Sequence, residues 1–264
     1  MNDYLASGWR EIFRHNGLEG FEDFWNLEAD WFEPPNQRRG GWSGVARVVL
    51  RRPGGGEAAI FLKRQENHIR KSWRHPLRGE PTFRAEARNL RLLEHRGVEA
   101  PQMVLYAERR TPGGWQVVLA TEELAGQRPL DVLIERWHEE GWAAARPLRR
   151  ALIPEVAALL RRFHALRQAH NALHAKHIFI DEANCRATLI DLEKMRPRLT
   201  RRQAMLRDLD TLNRRTFRIN RSDRLRFLLA YLEKPRVDDE VRRVWRALVA
   251  IRARKDRRKE ERKG

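Results

Sequence analysis

Between residues 40 and 124, apolar and polar positions alternate in short runs, the period-two pattern of half-buried strands. The runs "GVARVVL" and "EAAIFLKR" flank "RRPGGG", and "PQMVLYAERR" and "WQVVLATEEL" flank "TPGG", which predicts two hairpins. Between the hairpins, "FRAEARNLRLLEH" puts Ala87, Leu90 and Leu93 on one helical face, with Gly97 just past its end. The predicted order is strand, strand, strand, helix, strand, strand. Beyond residue 126 the period becomes helical. Leu152, Val156, Leu159, Leu160, Phe163 and Leu166 form a stripe in which Pro154 is acceptable only near a first turn. Two short apolar runs follow, "HIFI" and "ATLI", separated by the turn "DEANCR", and then further helices. Before residue 40, Tyr4, Trp9, Phe13, Phe21, Phe24, Trp25, Trp31 and Phe32 recur at loosely helical spacing up to "EPPN", a breaker. One or two short helices packed on the next lobe are expected there. The tail "RARKDRRKEERKG" is too charged to bury and is expected to be a frayed helix end or disordered. The expected division is therefore 1–37, an N-terminal helical extension; 38–124, a strand-rich lobe; 125–251, a helical lobe; and 252–264, a basic tail.

Charge narrows the class of partner. Lys and Arg number 54 against 36 Asp and Glu, for a net charge of +18, so a polyanion within a Debye length of about 8 Å is attracted. Nucleic acid, anionic lipid and phosphorylated glycan all qualify. Hydrophobic content of 41% with 34% charged residues is that of a globular chain, not a disordered one. The start "MNDYLASGWREIF" lacks the basic and apolar regions of a secretion signal, and no long uncharged apolar run occurs, so work in the cytosol is expected. The single cysteine, Cys185, has no partner in the chain for a disulfide.

The chemistry-bearing residues fall on this frame. Lys63 ends the strand "AIFLK", after a hairpin whose first turn region is "RGGWSGV". Such a lysine can reach phosphate oxygens while backbone amides around Gly41 and Gly44 approach them, although a solvated surface lysine has the same signature. Glu86, on the following helix, could hold that ammonium in one pose. Asp191 stands where "ATLI" stops, and an aspartate exposed there can bind magnesium or simply cap a turn. His177 heads the partner strand, so a hairpin would bring it near Asp191.

The succession of glycine-containing hairpin, "FLK", "FRAEARNLRLLEHRGV", "TEEL", "HNALHAKHIFI", "LIDLEK" and "RDLDTL" resembles the lipopolysaccharide kinase family of InaA and WaaP type, over residues 38–215. The resemblance implies an α+β, protein-kinase-like two-lobed fold, with an antiparallel sheet and one long helix in the N-lobe and a mostly helical C-lobe. It implies ATP and Mg as cofactors. Lys63 would hold nucleotide phosphates, Glu86 would pair with it, and Asp191 would hold magnesium. Glu122 and Leu124 of the hinge-like "TEEL" would contact the nucleotide. His177 stands where ordinary protein kinases place a metal-binding asparagine and, being a nitrogen donor, is expected to touch a metal-bound water or phosphate. Asp208 would buttress the catalytic loop.

One position departs from the kinase pattern H-x-D-L-x-x-x-N: the base position is Ala172, which cannot take a proton. His174 or His170 could substitute, the alternative for His170 being a structural hydrogen bond to the backbone near Asp191. Lys176 could contact the transferred phosphate or stay solvated. The leading expectation is an ATP-dependent kinase of a sugar hydroxyl, a heptose, in lipopolysaccharide core. A pseudokinase that binds nucleotide or a partner is the second, and a nucleic-acid-binding protein a minor third, since no recognition motif for nucleic acid occurs. The expected partners are core oligosaccharide and the anionic inner face of the inner membrane, where the protein would sit peripherally. The segment "HIRKSWRHPLRGEP", with Arg70, Lys71, Trp73, Arg74 and Arg78, is the local candidate for that contact.

Overall fold

A computed structural model describes residues 3–38, 40–72, 75–216 and 218–261. The chain forms two compact units, one of Met1–Arg96 with Ala100–Ala125, the other of Gly97–Glu99 with Gly126–Gly264.

The first unit contains β1 (Tyr4–Leu5), α1 (Arg10–His15), α2 (Phe21–Asn26), β2 (Trp31–Arg38), β3 (Gly41–Arg51), β4 (Glu57–Glu66), β5 (Ile69–Ser72), β6 (His75–Pro81), α3 (Thr82–His95), β7 (Met103–Thr111) and β8 (Gly114–Glu122). A six-stranded antiparallel sheet runs β1-β7-β8-β4-β3-β2. Strand alternation sorts β4 into two faces. Ile60 and Leu62 are buried in one core with Trp9, Ile12, Phe13, Phe21 and Phe24, which is why the N-terminal aromatics belong to this unit's core. Lys63 and Gln65 point the other way and bond to α3. The two expected hairpins, β3–β4 and β7–β8, are present.

The "EPPN" segment does not break the chain; β2 runs through it. Its pairing with β3 shifts register between Trp31 and Glu33 and again between Glu33 and Asn36. An edge strand with bulges tolerates prolines because the missing N–H need not join a ladder. The basic segment "HIRKSWRHPLRGEP" contains the β5–β6 hairpin. Its Arg70 bonds to Glu80 at 3.2 Å, and Arg88 of α3 forks onto the same carboxylate at 2.7 and 3.0 Å. Arg70 is thus engaged inside the unit, while Lys71, Trp73, Arg74 and Arg78 lie outside the residues whose side chains are described.

Glu80 is 1% exposed, so removing its charge leaves two guanidinium groups sharing a neutral partner. Glu80→Gln is expected to lower unfolding stability by about 3 kcal/mol at pH 7. Burial works to raise the Glu80 carboxyl, yet the hydrogen bonds and charges of Arg88 and Arg70 hold it below its ordinary value. A depressed folded-state pKa contributes stability above the unfolded value and loses it as pH falls through the folded one. Denaturant titrations should therefore show the wild type losing stability more steeply than the variant below about pH 4.5. Parallel curves would remove Glu80 from that role.

The second unit contains β9 (Arg128–Pro129), α4 (Leu130–Glu139), α5 (Arg146–Ala165), β10 (Gln168–Ala169), β11 (Ile178–Asp181), β12 (Arg186–Leu189), β13 (Arg196–Pro197), α6 (Arg201–Arg215), α7 (Arg221–Leu232) and α8 (Asp239–Glu260). "HIFI" and "ATLI" form the β11–β12 hairpin, and β9 completes a three-stranded sheet. Pro154 lies inside α5 rather than in its first turn. It is exposed, so the carbonyl it orphans faces water, and the buried stripe of Leu152, Val156, Leu159, Leu160 and Phe163 outweighs a cost of about 3 kcal/mol. The basic tail is ordered helix as far as Glu260, and Lys255 pairs with the buried Asp210.

Candidate active site

In the first unit, Lys63 sits within β4, opposite Val45 and Leu119, three residues before the strand ends. Its Nζ lies 2.6 Å from Glu86 Oε1, with side chains 18% and 4% exposed. That distance is a charge-assisted hydrogen bond, and the sheet and α3 hold its two ends. α3 begins after Pro81, which supplies no side-chain cap. Gln65 replaces the cap: its Oε1 accepts from Phe83 N and Thr82 Oγ1, both at 2.8 Å, and its Nε2 donates to the His68 carbonyl. Gln65 therefore fixes the helix that carries Glu86 from the strand that carries Lys63.

Gly41 and Gly44 lie in β3 rather than in the turn. A Cβ at Gly41 would stand 2.0 Å from the Glu66 carbonyl oxygen, and one at Gly44 2.5 Å from the Trp31 ring. Backbone packing within the sheet thus requires glycine at 41, while a side chain at 44 would displace the exposed Trp31 ring. Glu122 ends β8, opposite Ile60, and its N–H donates to the Gln102 carbonyl at 2.9 Å. Leu124 follows and is half-buried. Between them Glu123 forks onto Arg47 at 2.6 and 2.9 Å, an ion pair with no local signal in the sequence.

In the second unit, the loop 170–177 joins β10 to β11. Asp208 of α6, fully buried, accepts from His170 N at 2.6 Å and Asn171 N at 2.9 Å, and its Oδ2 lies 3.2 Å from His164 Nε2. Asn171 adopts a left-handed conformation (φ +64°), which asparagine tolerates, and its Nδ2 donates to the Ala169 and Lys194 carbonyls. His170 is fully buried, with Nε2 2.8 Å from the Ile190 carbonyl. Burial removes it from the proton acceptors open to a substrate; its bond braces the residue before Asp191.

Asp191 also has a left-handed backbone, φ +58° and ψ +59°, and makes no side-chain bond to the short 3₁₀ turn it precedes. Capping does not explain it. Its Oδ2 lies 3.3 Å from His177 Nε2, and the carboxylate is 35% exposed. His177 Nδ1 is 2.8 Å from the Ala172 carbonyl. A carbonyl only accepts, so Nδ1 carries the hydrogen. Burial lowers the His177 pKa, and Asp191 with the Ala172 carbonyl offsets only part of this. His174 is half-buried and also held low, first by burial and then by the charges of His177, Arg215, Lys176 and His170. Lys176 is exposed.

His177 and Asp191 offer one nitrogen and one oxygen to a cation. Among the described residues no cluster of three or more His, Cys, Asp or Glu forms a complete metal site. A divalent ion here would draw its remaining ligands from water or phosphate, as a nucleotide-bound ion does. The second unit also holds an apolar cavity lined by Leu152, Val156, Leu209, Phe227, Trp245 and Leu248.

The profile of the lipopolysaccharide kinase (Kdo/WaaP) family matches residues 22–231. The chain belongs to this family. Protein InaA of Escherichia coli (strain K12) is 32% identical over 197 residues, which are 74% of this chain and 87% of InaA. A solved structure described as WaaP in complex with acyl carrier protein superposes with a TM-score of 0.67 at 24% identity, covering 99% of each chain. The latter is a likeness of fold, and it makes the architecture kinase-like.

Membership of a lipopolysaccharide kinase family supports a kinase acting on lipopolysaccharide core. In this family member Ala172 is 8% exposed, and its backbone carbonyl, not its side chain, holds His177. Among the described residues no helix is long and apolar enough to cross a membrane.

Proposed function

We propose that this lipopolysaccharide kinase transfers the γ-phosphoryl group of ATP to a sugar hydroxyl of the lipopolysaccharide core, a heptose being the acceptor. The observation that carries the reading is the Lys63–Glu86 pair, an ammonium fixed by a buried carboxylate in the manner that phosphate binding needs. Lys63 holds phosphate oxygens, and backbone amides near Gly41 and Gly44 approach them. Glu122 and Leu124 seat the base. Asp191 and His177 would hold the divalent metal, whose contribution is to neutralise charge on the phosphate oxygens. His174 accepts the proton of the acceptor hydroxyl: it alone of the loop's three histidines is neither fully buried nor tied to the metal position. Phosphoryl transfer depends chiefly on positioning and charge, so the loop works without a carboxylate at 172.

The partners follow from charge and from the solved neighbour. A chain of +18 suits a phosphorylated acceptor at an anionic membrane surface. WaaP was solved with acyl carrier protein, and the cavity of the second unit has the apolar lining that an acyl chain needs. Ala172 favours a second reading, a pseudokinase that binds nucleotide without transfer.

Single-turnover transfer of labelled γ-phosphate from ATP to purified core oligosaccharide separates the readings. Labelled core is expected, with the label lost in Lys63→Ala. Presenting the acceptor on anionic vesicles, and adding acyl-loaded carrier protein, should each raise the rate; rates indifferent to both would strike out those partners. No transfer, with a melting temperature still raised by ATP and magnesium, would mean a pseudokinase.

A further inference from the structure

We infer that the metal position of this chain selects a manganese-type ion over magnesium, because His177 supplies its nitrogen to the metal directly. The inference rests on reading Asp191 as the ligand of a nucleotide-bound metal.

The bond from His177 Nδ1 to the Ala172 carbonyl leaves Nε2 as the lone-pair atom, and that atom lies 3.3 Å from Asp191 Oδ2. Two acceptors at that distance repel unless a positive charge joins them. A water donating one hydrogen to each would hold them roughly 4.5 Å apart. Neighbouring ligands of a six-coordinate ion with bonds of about 2.1 Å stand roughly 3 Å apart, so the observed gap is near that of a shared metal. Direct ligation is the alternative to the sequence-based expectation that His177 touches a metal-bound water or phosphate.

The pair is also held in place. The His177 ring stacks on His170 with centroids 5.7 Å apart and planes at 18°. His170 is itself tied to the Ile190 carbonyl, next to Asp191. The His177 backbone N–H donates to the His174 carbonyl, and its carbonyl accepts from Ile190 N, each at 3.0 Å. Backbone bonds on both sides of the ring therefore fix the separation of the two donors.

Magnesium prefers a full set of oxygens. Manganese accepts imidazole nitrogen more readily, and divalent iron and cobalt, further along the same affinity order, should follow it. A site with one fixed nitrogen and one carboxylate discriminates against magnesium more than two oxygens would.

Electron paramagnetic resonance of Mn²⁺ on the full chain with a non-hydrolysable ATP analogue tests the inference without turnover. Protein labelled with ¹⁵N-histidine should show hyperfine coupling from one directly bound nitrogen. In competition titrations, His177→Asn should lose that coupling and narrow the manganese-over-magnesium preference by about tenfold. The comparison with the variant cancels the preference of the nucleotide itself. Manganese bound in an Asp191-dependent way but without nitrogen coupling would overturn the inference and leave the nucleotide-metal reading standing. Manganese that does not bind, or binds equally to Asp191→Asn, would overturn that reading and the inference with it. The coupling is read on unmutated protein, so a variant that fails to fold does not spoil the test.

Discussion

Asp191→Asn is expected to lower phosphoryl transfer by about 10²- to 10³-fold while leaving the melting temperature of the free protein nearly unchanged. Asparagine keeps the shape and the tolerance of a left-handed backbone, φ +58° here, that alanine would not. It removes only the charge. The Asp191 side chain makes no capping bond, and its close partner is the Nε2 face of His177. Little folding free energy therefore depends on it. Single-turnover assays and thermal melts measure the two effects separately, and the stabilisation that magnesium adds to bound ATP should vanish in the variant. Transfer within threefold of wild type would take Asp191 out of the metal site.

His174→Ala is expected to reduce transfer by about 10²- to 10⁴-fold, the usual worth of a general base. The ring is half-buried, and its pKa is lowered by burial and by the cations around it, so the imidazole is a free acceptor at neutral pH. Adding Ala172→Asp to this variant should restore part of the rate, because a carboxylate at 172 falls where the kinase loop pattern places its own base. Introduced alone, Ala172→Asp should slow the enzyme: position 172 is 8% exposed, and the new charge would crowd the loop and repel phosphate. Rate constants for the two single variants and the double variant decide the matter. A His174→Ala enzyme of undiminished rate, or a double variant no faster than His174→Ala, would remove His174 from that role.

How far the placement of each candidate residue could be read along the chain varied, for a physical reason. Lys63, Glu86 and Asp191 were legible because each sits on an element whose own pattern announces it: β4 by alternation, α3 by its buried stripe, and the β11–β12 hairpin by two apolar runs around a turn. Their order along the chain then suggested their roles. His170 was ambiguous, since a histidine looks the same whether its ring faces solvent or, as here, is buried against the Ile190 carbonyl. The pairing of Glu123 with Arg47 spans 76 positions and left no mark on either local pattern.

Amphipathic period is a property of neighbours in the chain, so the hairpins β3–β4, β7–β8 and β11–β12, the helix α3, and most of α5 were written in residues close together. Net charge, too, depends on composition alone. Other features depended on partners far away in sequence. A strand passes through "EPPN" because β3 offers it an edge. The basic segment after β4 folds into a hairpin in which Glu80 draws in Arg70 and Arg88. The charged tail continues as helix, and its Lys255 reaches back to the buried Asp210. Most decisive for the proposed metal position, the Ala172 carbonyl sets which nitrogen of His177 carries the hydrogen, and so which one faces Asp191. A hydrogen-bond partner of that kind exists only once the loop has closed on itself, and no pattern of residue types along the chain encodes it.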